Sequence, residues 1–325
     1  SADEAGRSGF VGQITANSFM KREFGKKLIE DFLAHRVELS HVIDTSGVPL
    51  PGHNTPTVVL VARRRSPRQQ ATVRAVLGIT GEPSGLTDYA KGRVWSAIVN
   101  NIDRPTKNNP YITVCDLPRD RLAKHPWSLT GGGAGDLKQQ IETSATAIVR
   151  DIAEHIGITA VTGEDEFFLY PSERTARRHG INRTTFLVEG DAVRDFMITD
   201  VSVALWPFAD DLSVLPIDSL DMSGRMLVKY RSAINRRKRF GTPMVARGLT
   251  WWEWQELYRD KLRTPLSIAW GEVATHNHFV LDRGGKVFNR SAPVIKLPEG
   301  ASERDHLALL AVLNSSAACF WLQQV

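Results

Sequence analysis

The sequence predicts an α/β chain in which the closing part of a doubly wound sheet is followed by a mixed α+β region. Two observations lead to this prediction. Strand and helix patterns alternate over the first 68 residues, and from about residue 185 short strands recur between helices. The length of 325 residues, of which 42% are hydrophobic, is enough for two domains or three small ones.

The first part of the chain shows the alternation most clearly. Residues 10–16 read as a strand, and the apolar residues between positions 24 and 33 fall on one face of a helix. Residues 39–43 form a second strand pattern, which ends at a turn. After a loop rich in proline and glycine, the β-branched run 57–62 is typical of a strand that is buried on both faces.

The pattern becomes less regular after a basic, proline-broken boundary at residues 63–68. A glycine-rich joint at 131–135 precedes a helix predicted over residues 136–156, because apolar residues recur there at helical spacing. Further strands are predicted at 75–79, 111–114, 186–188, 201–206 and 266–270, a hairpin around Gly284-Gly285 at 279–288, and helices at 95–102, 222–239, 251–261 and 306–322.

Composition limits the class of protein. The two cysteines, Cys115 and Cys319, are far apart in apolar surroundings, which suits a reducing compartment and predicts a cytoplasmic location. No apolar run is long enough to span a bilayer, so no membrane partner is predicted. The net charge of +5 and the pI near 9.3 permit a polyanionic partner without requiring one.

Three sequence blocks of the first part of the chain are informative together: FVGQITANSFMKREFG at residues 10–25, Val42-Ile43-Asp44, and Thr-Pro-Thr-Val-Val-Leu at 55–60. In this order they resemble blocks of one enzyme family, the gamma-class adenine DNA methyltransferases, which are related to type IIG restriction-modification methylases. The first block resembles the segment that follows the catalytic motif of that family. The blocks at 131–138, 187–194, 288–298 and 309–316 are similar in particular to the PglX-like methyltransferases of bacteriophage-exclusion (BREX, phage growth limitation) type 2 systems.

The resemblance implies a fold and a reaction. Residues 1–68 are expected to form the C-terminal part of a Rossmann-like methyltransferase sheet. Residues 69–184 are expected to form a connecting region that contains the 136–156 helix, and 185–325 a target-recognition domain that continues beyond the chain. The implied reaction moves a methyl group from S-adenosylmethionine to N6 of an adenine flipped out of duplex DNA. DNA and other phage-defence proteins are the implied partners.

The catalytic parts of that family are missing from the sequence. Its glycine-containing cofactor loop and its Asn-Pro-Pro-aromatic motif are absent, and Asn108-Asn109-Pro110-Tyr111 imitates the motif with one proline only. We therefore expect the chain to be the later portion of a longer enzyme and to be inactive alone. The alternative is a DNA-specificity module without chemistry of its own, which acts with a separate catalytic chain.

Five residues are candidates for the cofactor or base pocket. Asn17, Ser18 and Phe19 follow the end of a sheet strand, where ligands bind in such folds, although Phe19 could equally be a core residue and Asn17 a helix cap. By the resemblance, Leu50 occupies the position of the aromatic residue that stacks on the flipped base. His53 is a nearby substitute for that role, or an ordinary loop histidine.

The DNA-contact candidates are six basic residues between positions 229 and 239: Lys229, Arg231, Arg236, Arg237, Lys238 and Arg239. The alternative is a solvated helix face. Arginines at 63–65 and 68, and at 174, 177 and 178, form weaker clusters. The tryptophans at 251, 252 and 254 are predicted to be core residues, and His276 and His278 lack a third metal ligand at suitable spacing.

Overall fold

The computed structural model describes residues 9–48, 55–67, 72–83, 86, 88–106 and 109–325. These residues form two compact units. Unit 1 contains the chain up to Ser144 together with Trp321–Val325, and unit 2 contains Ala145–Phe320. The predicted division at residues 68 and 184 stays a prediction.

The described residues contain nineteen strands, most of them short. In chain order they are β1 Phe10–Ala16, β2 Glu38–Asp44, β3 Thr57–Arg63, β4 Thr72–Gly78, β5 Ile112–Pro118, β6 His155–Gly157, β7 Ala160–Val161, β8 Leu169–Tyr170, β9 Thr184–Val188, β10 Val193–Arg194, β11 Met197–Ile198, β12 Ser202–Leu205, β13 Lys238–Arg239, β14 Thr242–Pro243, β15 Glu256–Leu257, β16 Ser267–Trp270, β17 Phe279–Asp282, β18 Lys286–Phe288 and β19 Val294–Lys296.

The helices are also short. The α-helices of the described part are α1 Arg93–Asn101, α2 Ala134–Ser144, α3 Val149–Ile152, α4 Asp165–Phe168, α5 Glu173–Arg178, α6 Asp221–Lys229, α7 Arg231–Ile234, α8 Glu303–Leu313 and α9 Ser316–Gln324. A π-helix spans Leu28–Leu33. Single 3-10 turns lie at Asn17–Met20, Glu23–Gly25, Tyr89–Lys91, Arg119–Leu122, Gly190–Ala192, Ile217–Leu220, Val245–Arg247 and Arg259–Leu262.

Unit 1 is built on a five-stranded sheet of order β1-β3-β2-β4-β5. Strand β3 lies between β1 and β2 and runs antiparallel to both. Strands β1 and β2 therefore run in the same direction, as expected for two strands joined by a helical crossover. Strands β2 and β4 pair in parallel, and β4 and β5 pair antiparallel. The sheet is thus mixed, whereas the doubly wound pattern predicted parallel pairing.

Both faces of this sheet are covered, as in an α/β fold. Val42 and Ile43 are neighbours in β2 and point to opposite faces, because side chains alternate along a strand. Val42 joins a core that contains Trp127 and the π-helix, and Ile43 joins a second core that contains α1. The run 57–62, predicted to be a strand buried on both faces, follows the same arrangement, because Val58 joins the first core and Val59 packs against the second.

Unit 2 contains two four-stranded sheets, of order β18-β9-β12-β8 and β17-β16-β19-β6. Val188 of the first sheet and Ala269 of the second share one apolar core. On the other face of the second sheet, Ile268 packs in a core with α8 residues Leu310 and Leu313. The tryptophans near residue 251 belong to the core of the first sheet, together with Phe168 and Leu205.

The prediction of one helix over residues 136–156 is wrong. Helix α2 ends at Ser144, and Ile156 lies in strand β6, where it pairs with Ile295 of β19. The apolar spacing continues through this stretch, but Ile148 adopts an extended conformation with φ −108° and ψ 155°. Pairing with a strand far along the chain therefore overrides the local helical pattern.

Four other predicted elements differ from the structure. The stretch 251–261, predicted as a helix, contains strand β15 and no α-helix, and the stretch 306–322, predicted as one helix, is divided between α8 and α9. Strands β17 and β18 flank Gly284-Gly285 but pair with β16 and β9 in separate sheets, so they do not form the predicted hairpin. The helix predicted over residues 222–239 is shorter in the structure, because α6 ends at Lys229 and α7 ends at Ile234. The basic residues at 236–239 therefore lie outside these helices.

In the described part of the chain, no single helix is long and apolar enough to cross a membrane. Helices α8 and α9 meet that test only as a pair, with a bend of 61° between them.

Candidate nucleic-acid interface

The basic residues of interest lie in a stretch of unusual charge, which we call the basic segment and define as residues 222–252. It carries eight lysines and arginines and no aspartate or glutamate. Five of these basic residues are exposed, namely Arg225, Lys229, Arg231, Arg236 and Lys238. The segment includes nearly all of α6, the whole of α7, and a short hairpin formed by β13 and β14.

Arg237 has a different environment from its neighbours, because only 3% of it is exposed. Its guanidinium donates to four backbone carbonyls: Ile234 (3.0 Å), Thr162 (2.5 Å), Trp251 (2.8 Å) and Glu253 (2.7 Å). It also lies 5.1 Å from the centre of the Phe168 ring. Burial lowers the pKa of Arg237 to about 10. The prediction that Arg237 contacts DNA is therefore corrected: its donors are used inside the fold.

Arg239 is half-buried and paired. Its Nε donates to Glu256 Oε1 at 2.6 Å, and the other oxygen of that carboxylate accepts from the Tyr258 hydroxyl. The hydrogen bond to Glu256 raises the pKa of Tyr258. Arg239 can offer its remaining donors to a phosphate, but its position is fixed by the carboxylate.

The exposed members of the basic segment have few constraints. Arg231 lies 5.4 Å from the Trp251 ring centre, and Tyr230 packs against Phe167 with ring centres 5.2 Å apart. In the first contact the charged guanidinium carbon of Arg231 lies over the tryptophan ring, while Arg231 as a whole stays exposed. Arg236 and Lys238 flank the buried Arg237 and are exposed. The segment therefore presents exposed cations on both sides of a residue that is held inside the fold.

The tip of the β13–β14 hairpin is a feature that the sequence reading did not single out. Phe240 and Gly241 connect the strands, and Phe240 is 95% exposed at a positive φ of 47°. The signal was available, because an X-Gly pair between two short strand-like pairs is typical of a two-residue hairpin turn.

The weaker basic clusters remain at the surface. On α5, Arg177 pairs with Glu173 at 3.1 Å, and both line a shallow depression with Arg174 and Arg178. In unit 1, Arg63 lies 3.8 Å from the Phe10 ring centre and Arg65 bonds to Glu38. Arg68 lies outside the described residues.

The candidates for the cofactor or base pocket follow β1 in a 3-10 turn. Phe19 is 4% exposed and packs edge-on against Trp127, with ring centres 5.9 Å apart, which supports the core alternative. The backbone N–H of Asn17 donates to the Pro56 carbonyl at 3.0 Å, and Ser18 is exposed. Two polar side chains are too few to hold S-adenosylmethionine by themselves. Leu50 and His53 lie outside the described residues.

The described residues contain no group of three or more metal-binding side chains. His278 Nδ1 lies 2.7 Å from Asp195, and His276 is its neighbour at 6.2 Å between ring centres. The glycines at 131–133 are used in backbone turns: Gly131 N–H donates to the Gly78 carbonyl and Gly132 N–H to Thr113 Oγ1. The N–H groups of Gly131 and Gly132 are thus used in hydrogen bonds within the fold.

Comparison with known proteins agrees with the resemblance. No protein-family model matches the chain. The chain is 44% identical over 322 residues to the adenine-specific methyltransferase PglX of Streptomyces coelicolor (strain ATCC BAA-471 / A3(2) / M145). That match covers 98% of this chain and 26% of PglX, so the chain spans about a quarter of the relative's length. The similarity to PglX that the sequence blocks predict is thus confirmed.

Two restriction enzymes are among the solved structures that match the chain. MmeI, a type IIL restriction-modification enzyme solved in complex with DNA, matches with a TM-score of 0.52 at 11% identity, over 94% of this chain and 35% of MmeI. At this identity the likeness concerns the fold alone, and it agrees with the predicted mixed α/β fold. The type IIG restriction endonuclease BpuSI reaches a TM-score of 0.38 at 13% identity, over 95% of this chain and 37% of BpuSI, which is too weak to add to this.

Proposed function

We propose that this chain is the DNA-recognition part of an adenine-specific DNA methyltransferase, and that its basic segment holds the phosphate backbone of duplex DNA. The observation that carries the proposal is the charge of residues 222–252, with eight basic residues, no acidic residue and five exposed cations. Exposed lysines and arginines bind phosphates and release counterions. The identity of 44% to PglX and the fold likeness to MmeI support DNA as the partner.

The reaction of the intact protein would be methyl transfer from S-adenosylmethionine to N6 of a flipped adenine. The lone pair of that amine is delocalised into the ring, so it is a poor nucleophile and the enzyme must act mainly by positioning. The cofactor loop and the Asn-Pro-Pro-aromatic motif are absent from the 325 residues. We therefore propose that the chain alone does not methylate DNA.

The edge of the unit 1 sheet supports this view. Strand β1 is the edge strand, and the first five of its seven residues are exposed. They include Phe10 (59% exposed), Val11 (53%) and Ile14 (52%), which point to both faces of the sheet. An apolar edge strand that is exposed on both faces tends to pair with another strand or to be covered by another part of the protein. We propose that a catalytic part, with its cofactor loop, covers this edge in the intact enzyme.

The cellular setting follows from the resemblance to PglX-like methyltransferases. We propose a cytoplasmic protein that acts with other phage-defence proteins on duplex DNA.

The second candidate is a DNA-specificity module without chemistry, which works with a separate catalytic chain. The burial of Phe19 in the unit 1 core favours it, because this candidate pocket residue is not available to a ligand. Both candidates place the same basic segment on DNA. They differ in whether the catalytic motif is on the same polypeptide.

The first experiment measures binding of this chain to a mixed-sequence duplex by fluorescence anisotropy over a series of salt concentrations. We expect the logarithm of the association constant to fall linearly with the logarithm of salt concentration. Each phosphate contact contributes about 0.9 to the slope, so the double variant Arg236→Ala/Lys238→Ala should lower the slope by about 2.

The matched control removes two exposed arginines outside the basic segment, Arg263→Ala and Arg304→Ala. It changes the net charge by the same amount, and its slope should stay close to that of the wild type. An equal effect of both double variants would mean that net charge alone drives binding, and it would reject the segment as the contact surface.

A second experiment separates the enzyme part from the stand-alone module. The isolated chain is incubated with duplex DNA and radiolabelled S-adenosylmethionine, and incorporation into DNA is counted. We expect none. Methyl transfer by the 325 residues would overturn the proposed inactivity, and transfer restored by a separately produced catalytic chain would favour the second candidate.

A further inference from the structure

We propose that the hairpin of residues 238–243 inserts the Phe240 ring as an apolar wedge at a base step of the bound duplex. This inference rests on the proposed function and adds to it a contact that is independent of charge. Phosphate contacts position a protein on DNA, whereas an inserted ring acts on the bases themselves.

The hairpin has an unusual tip. Its register pairs Lys238 with Pro243 and Arg239 with Thr242, which leaves Phe240 and Gly241 as a two-residue turn. Both turn residues have positive φ, 47° and 84°, as a type I′ turn requires. Asparagine or glycine is usual at the first of these positions, and a bulky side chain rarely adopts this conformation. The conformation of the turn therefore does not favour a phenylalanine here.

Phe240 also gains nothing from burial, because 95% of it is exposed. A Cβ at the adjacent Gly241 would meet no atom within 4 Å, so the tip stands in open solvent. Strained backbone conformations cluster at functional sites, so we infer from the strained turn, and not from exposure alone, that the Phe240 ring meets a partner outside the chain.

The base of the hairpin is held firmly. The residues immediately before and after it, Arg237 and Met244, are 3% and 0% exposed. Arg237 bonds to four backbone carbonyls, and Gln255 Nε2 donates to the Lys238 carbonyl at 3.4 Å. A tip on such anchors loses little conformational entropy when it binds, which favours its use as a probe of a partner surface.

The charges around the tip select nucleic acid as the partner. Lys238 and Arg236 are exposed, and the Arg239 guanidinium lies 5.2 Å from the centre of the Phe240 ring. An aromatic or apolar side chain flanked by cations matches a base step flanked by phosphates.

A second hairpin in unit 2 provides an internal comparison. Phe196 lies at the turn between β10 and β11, also at positive φ (58°), and is 60% exposed. Its neighbour at the tip is Asp195, whose carboxylate contacts His278 at 2.7 Å. A carboxylate beside the ring would repel a phosphate backbone, so the Phe196 hairpin lacks the charge that the Phe240 hairpin has.

The test uses Phe240→Asn, Phe240→Ala and the control Phe196→Ala in the anisotropy assay. Both Phe240 variants should bind the duplex at least about 5-fold more weakly than the wild type. This factor corresponds to about 1 kcal/mol, the lower end of the range for the stacking of an aromatic side chain on a base. Their salt slope should be unchanged, since no charge is removed. Phe196→Ala should bind as the wild type does.

Phe240→Asn separates folding from binding. Asparagine suits the first position of a type I′ turn, so its thermal unfolding midpoint should equal or exceed that of the wild type while its affinity falls. A wedge also favours a base step that is already unstacked. The wild type should therefore prefer a duplex with a single mismatch over the matched duplex, and the Phe240 variants should lose this preference.

The outcomes distinguish the two proposals. If the wild type shows no salt-dependent binding, the proposed function fails. If it binds and the Phe240 variants bind equally well, the wedge is wrong and the basic segment stands. If their affinity falls without any mismatch preference in the wild type, Phe240 contacts the DNA surface and does not enter a base step, which also overturns the inference.

Discussion

Replacement of Arg237 by methionine should destabilise unit 2 by about 2–4 kcal/mol without removing a DNA contact. Two of the four carbonyls that Arg237 serves keep a backbone donor: Ile234 accepts from Arg237 N–H and Thr162 from Gln255 N–H. Among the described residues, the Trp251 and Glu253 carbonyls are left without one. An orphaned buried carbonyl costs about 1–3 kcal/mol. Relief of the buried charge, which lowers the Arg237 pKa to about 10, offsets part of this cost.

The assay is urea unfolding followed by tryptophan fluorescence; of the eight tryptophans, Trp251 and Trp254 lie in the core beside Arg237. The variant should lower the midpoint and leave the denaturant slope unchanged, as expected for a pure loss of stability. The matched control is Arg236→Met, one residue earlier and exposed, whose unfolding free energy should stay within about 0.5 kcal/mol of the wild type.

DNA binding completes the comparison between these neighbours. Under conditions where both variants are folded, Arg236→Met should reduce the salt slope by about 1 and Arg237→Met should leave it unchanged. A loss below about 1 kcal/mol for Arg237→Met would refute the structural role, because it would mean that the four carbonyls find other partners at little cost.

Two further predictions concern a buried lysine and a close backbone contact. Burial lowers the pKa of Lys296 from 10.5 to about 8. Between these two pKa values the unfolded chain binds more protons than the folded chain, so Lys296 should make the unfolding free energy rise as pH increases from 8 to 10. Urea titrations should show this rise in the wild type and a smaller rise in Lys296→Met. Identical pH profiles of the two proteins would contradict the prediction. A Cβ at Gly25 would lie 1.8 Å from the Phe19 carbonyl oxygen, whereas one at Gly12 would meet nothing within 4 Å. Gly25→Ala should therefore lower the thermal midpoint by several degrees while Gly12→Ala should not, and equal midpoints would show that the backbone can yield.

The strands of unit 1 could be predicted from the sequence because their side chains are buried in a regular way. The run of residues 57–62 is apolar and β-branched, and it forms β3 at the centre of three strands. Its direction could not be predicted, because the alternation of side chains is the same in parallel and antiparallel strands. The mixed sheet therefore had to be seen in the structure.

The end of helix α2 could not be predicted from the sequence, because pairing with a distant strand decides the conformation of the residues that follow it. Ile148 and Ile156 continue the spacing of α2, yet Ile156 pairs with Ile295, which is 139 residues away. Local periodicity contains no information about such a partner. For the same reason the Gly284-Gly285 pair predicts a hairpin turn, although its two flanking strands pair in separate sheets.

The candidate interface shows the same division between local and distant information. Composition identified the basic residues at 229–239, but the carbonyls that bury Arg237 come mainly from positions 162, 251 and 253. No local pattern separates Arg237 from Arg236. The hairpin tip is the opposite case, since Phe240-Gly241 is a local turn signal that could have been used.

The distribution of charge bears on how the proposed function and the proposed wedge fit together. The chain carries +5 in total and the basic segment carries +8, so the remaining residues sum to −3. A polyanion should therefore be attracted to the basic segment more than to the rest of the chain. Phosphate contacts of this kind fix orientation without reading sequence. Because Phe240 lies within the same segment, DNA bound as we propose would meet the hairpin tip without a separate alignment.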